Sequence, residues 1–126
     1  MELSMTNAKP RISVDYRDDI TVVRLMNEKI LETEDIQGLE SSIMPLVEQT
    51  GPIKLVVDFS AVKFLSSAVL GVLIRVSKRV YETGGELALC GLNSKILQVF
   101  KVTRLEKIFA IHPDAEKAVA FLRQSS

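Results

Sequence analysis

The sequence predicts an α/β domain built on a single mixed β-sheet, with an antiparallel hairpin at its start and helices packed against it. Three observations carry this. Two short β-branched runs open the chain and are separated by the charged turn Arg17-Asp18-Asp19. After them, apolar runs of strand length alternate with segments of helical period, the order that yields parallel strands. The run from Ile53 to Phe59 is apolar almost throughout, as a strand buried on both faces requires.

Taken in order, residues 1–10 are polar and aperiodic up to Pro10 and read as a flexible tail, leaving 11–126 as the domain. Arg11 to Tyr16 alternates apolar and polar residues, a half-buried strand, and Ile20 to Met26 is the second strand of the hairpin. Asn27 to Leu31 connects onward, with Ile30 and Leu31 expected to turn inward. Thr33 is the expected N-cap of a helix in which Ile36, Leu39, Ile43, Leu46 and Val47 recur at helical spacing. Pro45 predicts a bend or break near its end.

Thr50-Gly51-Pro52 stops that helix ahead of the central strand. A second helix is expected from Ser66 to Tyr81, with Arg75, Lys78, Arg79 and Glu82 on one solvated stripe and Thr83-Gly84-Gly85 as its stop. Glu86 to Cys90 reads as a strand, Ser94 to Val102 as a short helix and Lys107 to Ile111 as a last strand. Pro113 at the first helical position, with Asp114 and Glu116 behind it, opens the final helix.

The chain has 126 residues, 47% hydrophobic and 25% charged, which suits one globular domain with a real core. Its 16 basic residues balance 16 acidic ones, so no whole-chain field favours nucleic acid or an anionic membrane. Cys90 is the sole cysteine and lies in an apolar run, which suits a buried small hydrophobe. Met1 to Pro10 lacks the apolar core of a signal peptide, and no run approaches about 18 apolar residues, so no membrane span and a cytoplasmic address are expected. One Cys and one His cannot build a closed zinc site, no phosphate-binding Gly-rich loop occurs, and no cofactor is expected. His112, beside Pro113, reads as a surface or capping histidine.

In open parallel sheets, sites gather beyond the carboxyl ends of the strands. That points to the turn from Asp58 to Gly71. Its residues VDFSAVKFLSSAVLG, from Val57 to Gly71, resemble the D-L-S-x-V-x-F-[ML]-D-S-S-G-L-G signature of STAS domains, the bacterial anti-sigma factor antagonists and related sulfate-transporter domains. Phe100 to Phe109, FKVTRLEKIF, is similar to that family's F-x-x-T-G-L-x-K-x-F segment. The resemblance implies a STAS-type sheet over nearly the whole chain after Pro10. It also implies a non-catalytic module that binds an anti-sigma factor, itself a serine kinase of the GHKL type, and so frees a sigma factor. The first serine of the motif is the one phosphorylated, and phosphorylation breaks the complex.

Carried over position by position, that serine is Ser67, with Ser66 as second choice. Ser66 stands where the motif has aspartate, Ala68 where it has the second serine, and Val69 where it has glycine. The partner surface implied is Asp58, Ser60, Lys63 and Phe64, then Ser66, Ser67, Ala68 and Val69. On side-chain chemistry alone, Ser66 suits an N-cap with its hydroxyl engaged, which leaves Ser67 with the freer hydroxyl. Asp58 suits accepting backbone hydrogen bonds to shape the turn, Lys63 suits a solvated loop, and Phe64 and Leu65 suit a hydrophobic staple or core contact.

Two other readings stay open. One is a STAS interaction module in a larger signalling assembly, without phosphorylation. The other is a phospho-aspartate receiver using Asp58, although the acidic pair such a domain needs after its first strand is here the hairpin turn, Asp18 and Asp19. The oligomeric state is not legible.

Overall fold

A computed structural model describes residues 12–49 and 51–124; the expected tail at 1–10, with Arg11, Thr50 and the last two residues, lies outside the described residues. The opening hairpin is β1 (Ile12–Arg17) and β2 (Ile20–Leu25), antiparallel, with Arg17 opposite Ile20 across a two-residue turn. Asp18 holds a left-handed φ of 60° in that turn, a conformation aspartate tolerates better than most side chains.

Three further strands join β2 in parallel: β4 (Lys54–Asp58), β6 (Glu86–Cys90) and β7 (Ala110–His112). The sheet order is β1-β2-β4-β6-β7, so the nearly continuous apolar run does become a central strand. A second ladder, not foreseen, pairs β3 (Lys29–Ile30) with β5 (Phe64–Leu65) in parallel.

The two-residue period of the strands sorts the core into two layers. Val23, Leu25, Leu55, Val57, Leu87 and Leu89 face the larger one. It is covered by α1 (Thr33–Val47), α2 (Ala68–Glu82) and α3 (Ser94–Val102). Ile20, Val22, Val56, Ala88 and Cys90 face the smaller layer, covered by α4 (Ala115–Gln124) through Ala118, Val119 and Leu122.

Several local expectations change. Glu32, not Thr33, is the N-cap of α1; its N–H donates to Asp35 Oδ2 at 3.3 Å. The helix runs unbroken through Pro45 to Val47. Pro45 stands in the last turn and, like Ser41 four residues earlier, is exposed, so the one carbonyl left over meets water. Ile30 is buried but Leu31 is exposed, because neighbours in extended chain face opposite sides.

The strand expected over Lys107 to Ile111 starts later. Leu105–Lys107 form a 3-10 turn first, and Phe109 N–H donates to the Leu105 carbonyl at 3.1 Å. Leu105 and Phe109 are both buried, and their spacing of four is a helical turn rather than a strand. Asp114 caps α4, its Oδ1 accepting from Lys117 N–H at 2.8 Å, so Pro113 precedes the cap instead of following it.

Candidate functional site

Beyond the carboxyl ends of β4 and β6 lie two turns that touch each other. The first leaves β4 at Asp58. This side chain is buried, and its Oδ1 accepts from Ser60 N–H at 2.9 Å, the turn-shaping role its position suggested. Phe59 N–H donates to the Cys90 carbonyl at 2.9 Å, and its ring lies wholly in the core. Val62 N–H returns to the Phe59 carbonyl. Lys63 and Phe64 N–H then both donate to the Glu28 carbonyl, at 2.8 and 3.1 Å, and Ser66 N–H donates to the Ile30 carbonyl at 2.9 Å. The segment is held by backbone at almost every step, although it carries little regular structure.

The second turn, Gly91 to Asn93, braces the first. Gly91 has φ +72°, and a Cβ there would stand 2.7 Å from Asp58 Oδ1 and 2.9 Å from Ser60 N. Only glycine combines that backbone with that approach. Asn93 caps α3 by accepting from Ile96 N–H at 2.9 Å. Its Nδ2 donates to the Lys63 carbonyl at 3.2 Å and reaches the Val62 carbonyl at 3.4 Å.

At the start of α2 the two serines divide their work. Ser66 Oγ accepts from Ala68 N–H at 3.1 Å. Ser67 occupies the N-cap position expected of Ser66, with helical φ/ψ of −60° and −21°, and makes no side-chain cap bond. Helical backbone points the hydroxyl away from the N–H groups that a capping serine in extended conformation would reach. The helix therefore begins two residues later than expected, at Ala68, but the contrast between an engaged Ser66 and a freer Ser67 holds.

The other residues of the candidate surface fall into two groups. Ser60, Lys63, Ser67 and Ala68 are exposed, and Ser66 is partly so. Phe64 is 45% exposed rather than packed into the core, and Lys29 Nζ sits 5.9 Å from its ring centroid. Val69, in contrast, is 0% exposed and belongs to the larger core layer, so its side chain offers nothing to a partner. Asp58 acts on the surface through the shape of the turn.

Sequence reasoning missed a groove of about 290 Å³ beside Ser67. Leu31, Phe64 and Leu65 line it together with Ile96, Val99 and Phe100 of α3. Leu70, Ser66 and Ser67 also line it, and Lys63 and Lys95 are its charged residues. No local sequence signal marks it; Val99 on α3, which lines it, is left 41% exposed.

Cys90 is buried, and its thiol is pushed up to about 12 by that burial first and by the neighbouring Asp58 carboxylate second. It stays a neutral thiol at neutral pH and is no nucleophile. His112 stands at the junction before Pro113, as expected, but is partly buried there. It is part of β7, its ring lies 4.7 Å from that of Phe121, and its Nε2 is buried without a hydrogen-bond partner. Among the described residues, no three His, Cys, Asp or Glu side chains gather to hold a metal ion, and no helix is long and apolar enough to cross a membrane.

The sequence profile of the STAS domain matches residues 11–118. The chain belongs to the STAS family. Among STAS relatives, the anti-sigma-B factor antagonist of Bacillus subtilis is 25% identical over 108 residues, covering 86% of this chain and 97% of the relative. The crystal structure of an anti-sigma factor antagonist from Mycobacterium paratuberculosis superposes with a TM-score of 0.73 at 27% identity, covering 89% of this chain and 92% of that one. A STAS domain protein from Planctomyces limnophilus reaches a TM-score of 0.79 at 20% identity, over 89% and 97% of the two chains. The fold expected from the sequence is thus the fold of the family.

Proposed function

We propose that this STAS chain is a cytoplasmic anti-sigma factor antagonist, a non-catalytic module that sequesters an anti-sigma factor acting as a GHKL-type serine kinase and is released when Ser67 is phosphorylated. One observation carries the reading. Ser67 presents an exposed hydroxyl, free of any cap bond, on a turn that is otherwise held by backbone hydrogen bonds. The names of the relatives supply the class of partner. The partner surface is then Ser60, Lys63, Phe64, Ser66, Ser67 and Ala68, with Asp58 setting the shape beneath it.

A phosphate on Ser67 adds about −1.5 to −2 charges at the start of α2. The helix dipole favours negative charge there, by about 0.3–1 kcal/mol at an exposed site. The domain stays folded, and the charge acts on whatever was fitted to the neutral turn. The test is a pull-down from the native cell with and without ATP, with phosphosite mapping and affinities for two variants. Phosphate on Ser67, retained binding by Ser67→Ala and a loss of about tenfold or more by Ser67→Asp, some 1.4 kcal/mol, are expected. Equal affinity of the two variants sinks the switch and leaves an interaction module without phosphorylation. The serine at position 66, where the family motif has aspartate, is the feature that favours this second reading.

A further inference from the structure

The groove beside Ser67 is a preformed pocket rather than a flat face. Its floor is core: Phe100 is 0% exposed, and its ring meets that of Phe109 edge-on at 5.9 Å. Leu70 and Ile96 are buried against the same layer. The walls are different. Leu31, Phe64 and Val99 are large apolar side chains left exposed to water around a concave space. Such a space, apolar with a few convergent polar groups, is what small-molecule sites look like.

Its charge has one sign. Lys63 and Lys95 line it, and no carboxylate does. Lys63 shares its charge with Glu28 at 3.4 Å, both side chains more than half exposed, and Lys95 has no ion pair among the described residues. Both lysines sit by Asn93: its Nδ2 donates to the Lys63 carbonyl, and Lys95 follows two residues later. Val99 and Phe100 come about one helical turn further on. The groove therefore combines an apolar lining with charge of one sign.

We propose that this groove binds a small single-chain carboxylate, with its chain among Leu31, Phe64, Val99 and Phe100 and its headgroup between Lys63 and Lys95. The volume, about 290 Å³, lies at the lower limit of pockets for drug-sized ligands, which suits a medium-chain acid. The inference goes beyond the antagonist reading, since it needs neither a partner protein nor a phosphate. It adds one consequence: Ser67 lines the same groove, so negative charge at Ser67 and an anionic ligand repel each other.

The test is an amide chemical-shift titration of the full chain with sodium octanoate, octylammonium and octanol, each below its aggregation limit. Saturable one-to-one shifts at Phe64, Ser67, Lys95 and Val99 are expected for octanoate, with octylammonium weaker by about tenfold. Lys95→Glu and Ser67→Asp each weaken octanoate by about fivefold or more, and their own spectra report that they fold. Equal affinity for the two charged probes, shifts that never saturate, or shifts centred on His112 and Phe121 overturn the proposal. So does a groove inert to octanoate. The titration holds no partner and no ATP, so its failure leaves the antagonist reading intact, and a failed kinase assay leaves the ligand intact.

Discussion

The two turns beyond the sheet start from equivalent places and are built in opposite ways. Asp58 and Cys90 are register partners at the ends of adjacent parallel strands, and each strand feeds a helix. The turn after β6 spends three residues and saturates its side chains: Asn93 caps α3 and reaches across to two carbonyls. The turn after β4 spends nine residues, carries β5, and arrives at α2 with an uncommitted hydroxyl. The difference separates support from surface. One turn uses its polar groups internally and holds its neighbour in shape. The other takes its shape from backbone bonds and from that neighbour, which leaves Ser67, Lys63 and Phe64 facing outward.

The strongest way to break this arrangement is to remove what anchors the supporting turn's helix. Phe100→Ala empties a fully buried site beneath α3 and is expected to cost about 3–5 kcal/mol in urea unfolding. A loss below about 1 kcal/mol means that the floor collapses without cost, and that the groove is not rigidly held.

Next in size is the contact between the turns. Gly91→Ala meets two penalties, the left-handed backbone and the close approach to Asp58 and Ser60, and is expected to cost about 1–3 kcal/mol. Gly51→Ala is the matched control. Its φ is +90°, yet nothing lies within 4 Å of an added Cβ, so it carries the backbone penalty alone. The excess of Gly91→Ala over Gly51→Ala measures how tightly one turn presses on the other, and equal losses dissolve the idea of a brace.

Much of the first turn is legible in the sequence, and the brace is not. Asp58 ends an apolar run, and Ser66-Ser67 precede a helical period, so the place of the site follows from local pattern. Even Cys90 is readable, because a lone thiol in an apolar run has few roles. The contact of Gly91 with Asp58 depends instead on β6 lying beside β4 in one particular register, which no local signal encodes. The β3–β5 ladder is missed for the same reason, since two-residue strands have no period to detect. Val69 shows how a motif position misleads: it lies within the signature, but the helix turns it inward to the core. Arg104 shows the reverse. The family segment has glycine there, and this chain holds a left-handed backbone, φ 64°, with an arginine.

Asn93 separates the two halves of the supporting turn's work. Asn93→Ala removes cap and cross-link together and is expected to cost about 1 kcal/mol. Asn93→Asp keeps an oxygen to cap α3 but loses the donor to the Val62 and Lys63 carbonyls. Stability is expected to recover in large part, while amide exchange from Lys63 to Ser67 stays faster than in the parent. Parent-like exchange in Asn93→Asp shows that the first turn holds itself.

The smallest effect comes from the far side of α2, where Arg75 ties it to α1 by a two-pronged pair with Glu40, at 2.7 and 2.8 Å. Those bonds hold the Glu40 carboxyl below its ordinary range, against a smaller opposing push from burial. The sign follows from linkage: a carboxyl with a lowered folded value contributes stability above its unfolded value, about 4.3, and loses it as pH falls through the folded one. Both partners are open to solvent, so the loss is slight and shrinks further in salt. Denaturation midpoints followed from pH 6 to pH 3 are expected to fall a little more steeply for the parent than for Glu40→Gln, whose side chain does not titrate. Because this pair grips α2 away from its first turn, Glu40→Gln is expected to leave partner binding at Ser67 unchanged. A change there transmits through the helix and breaks the separation between a held scaffold and a free surface.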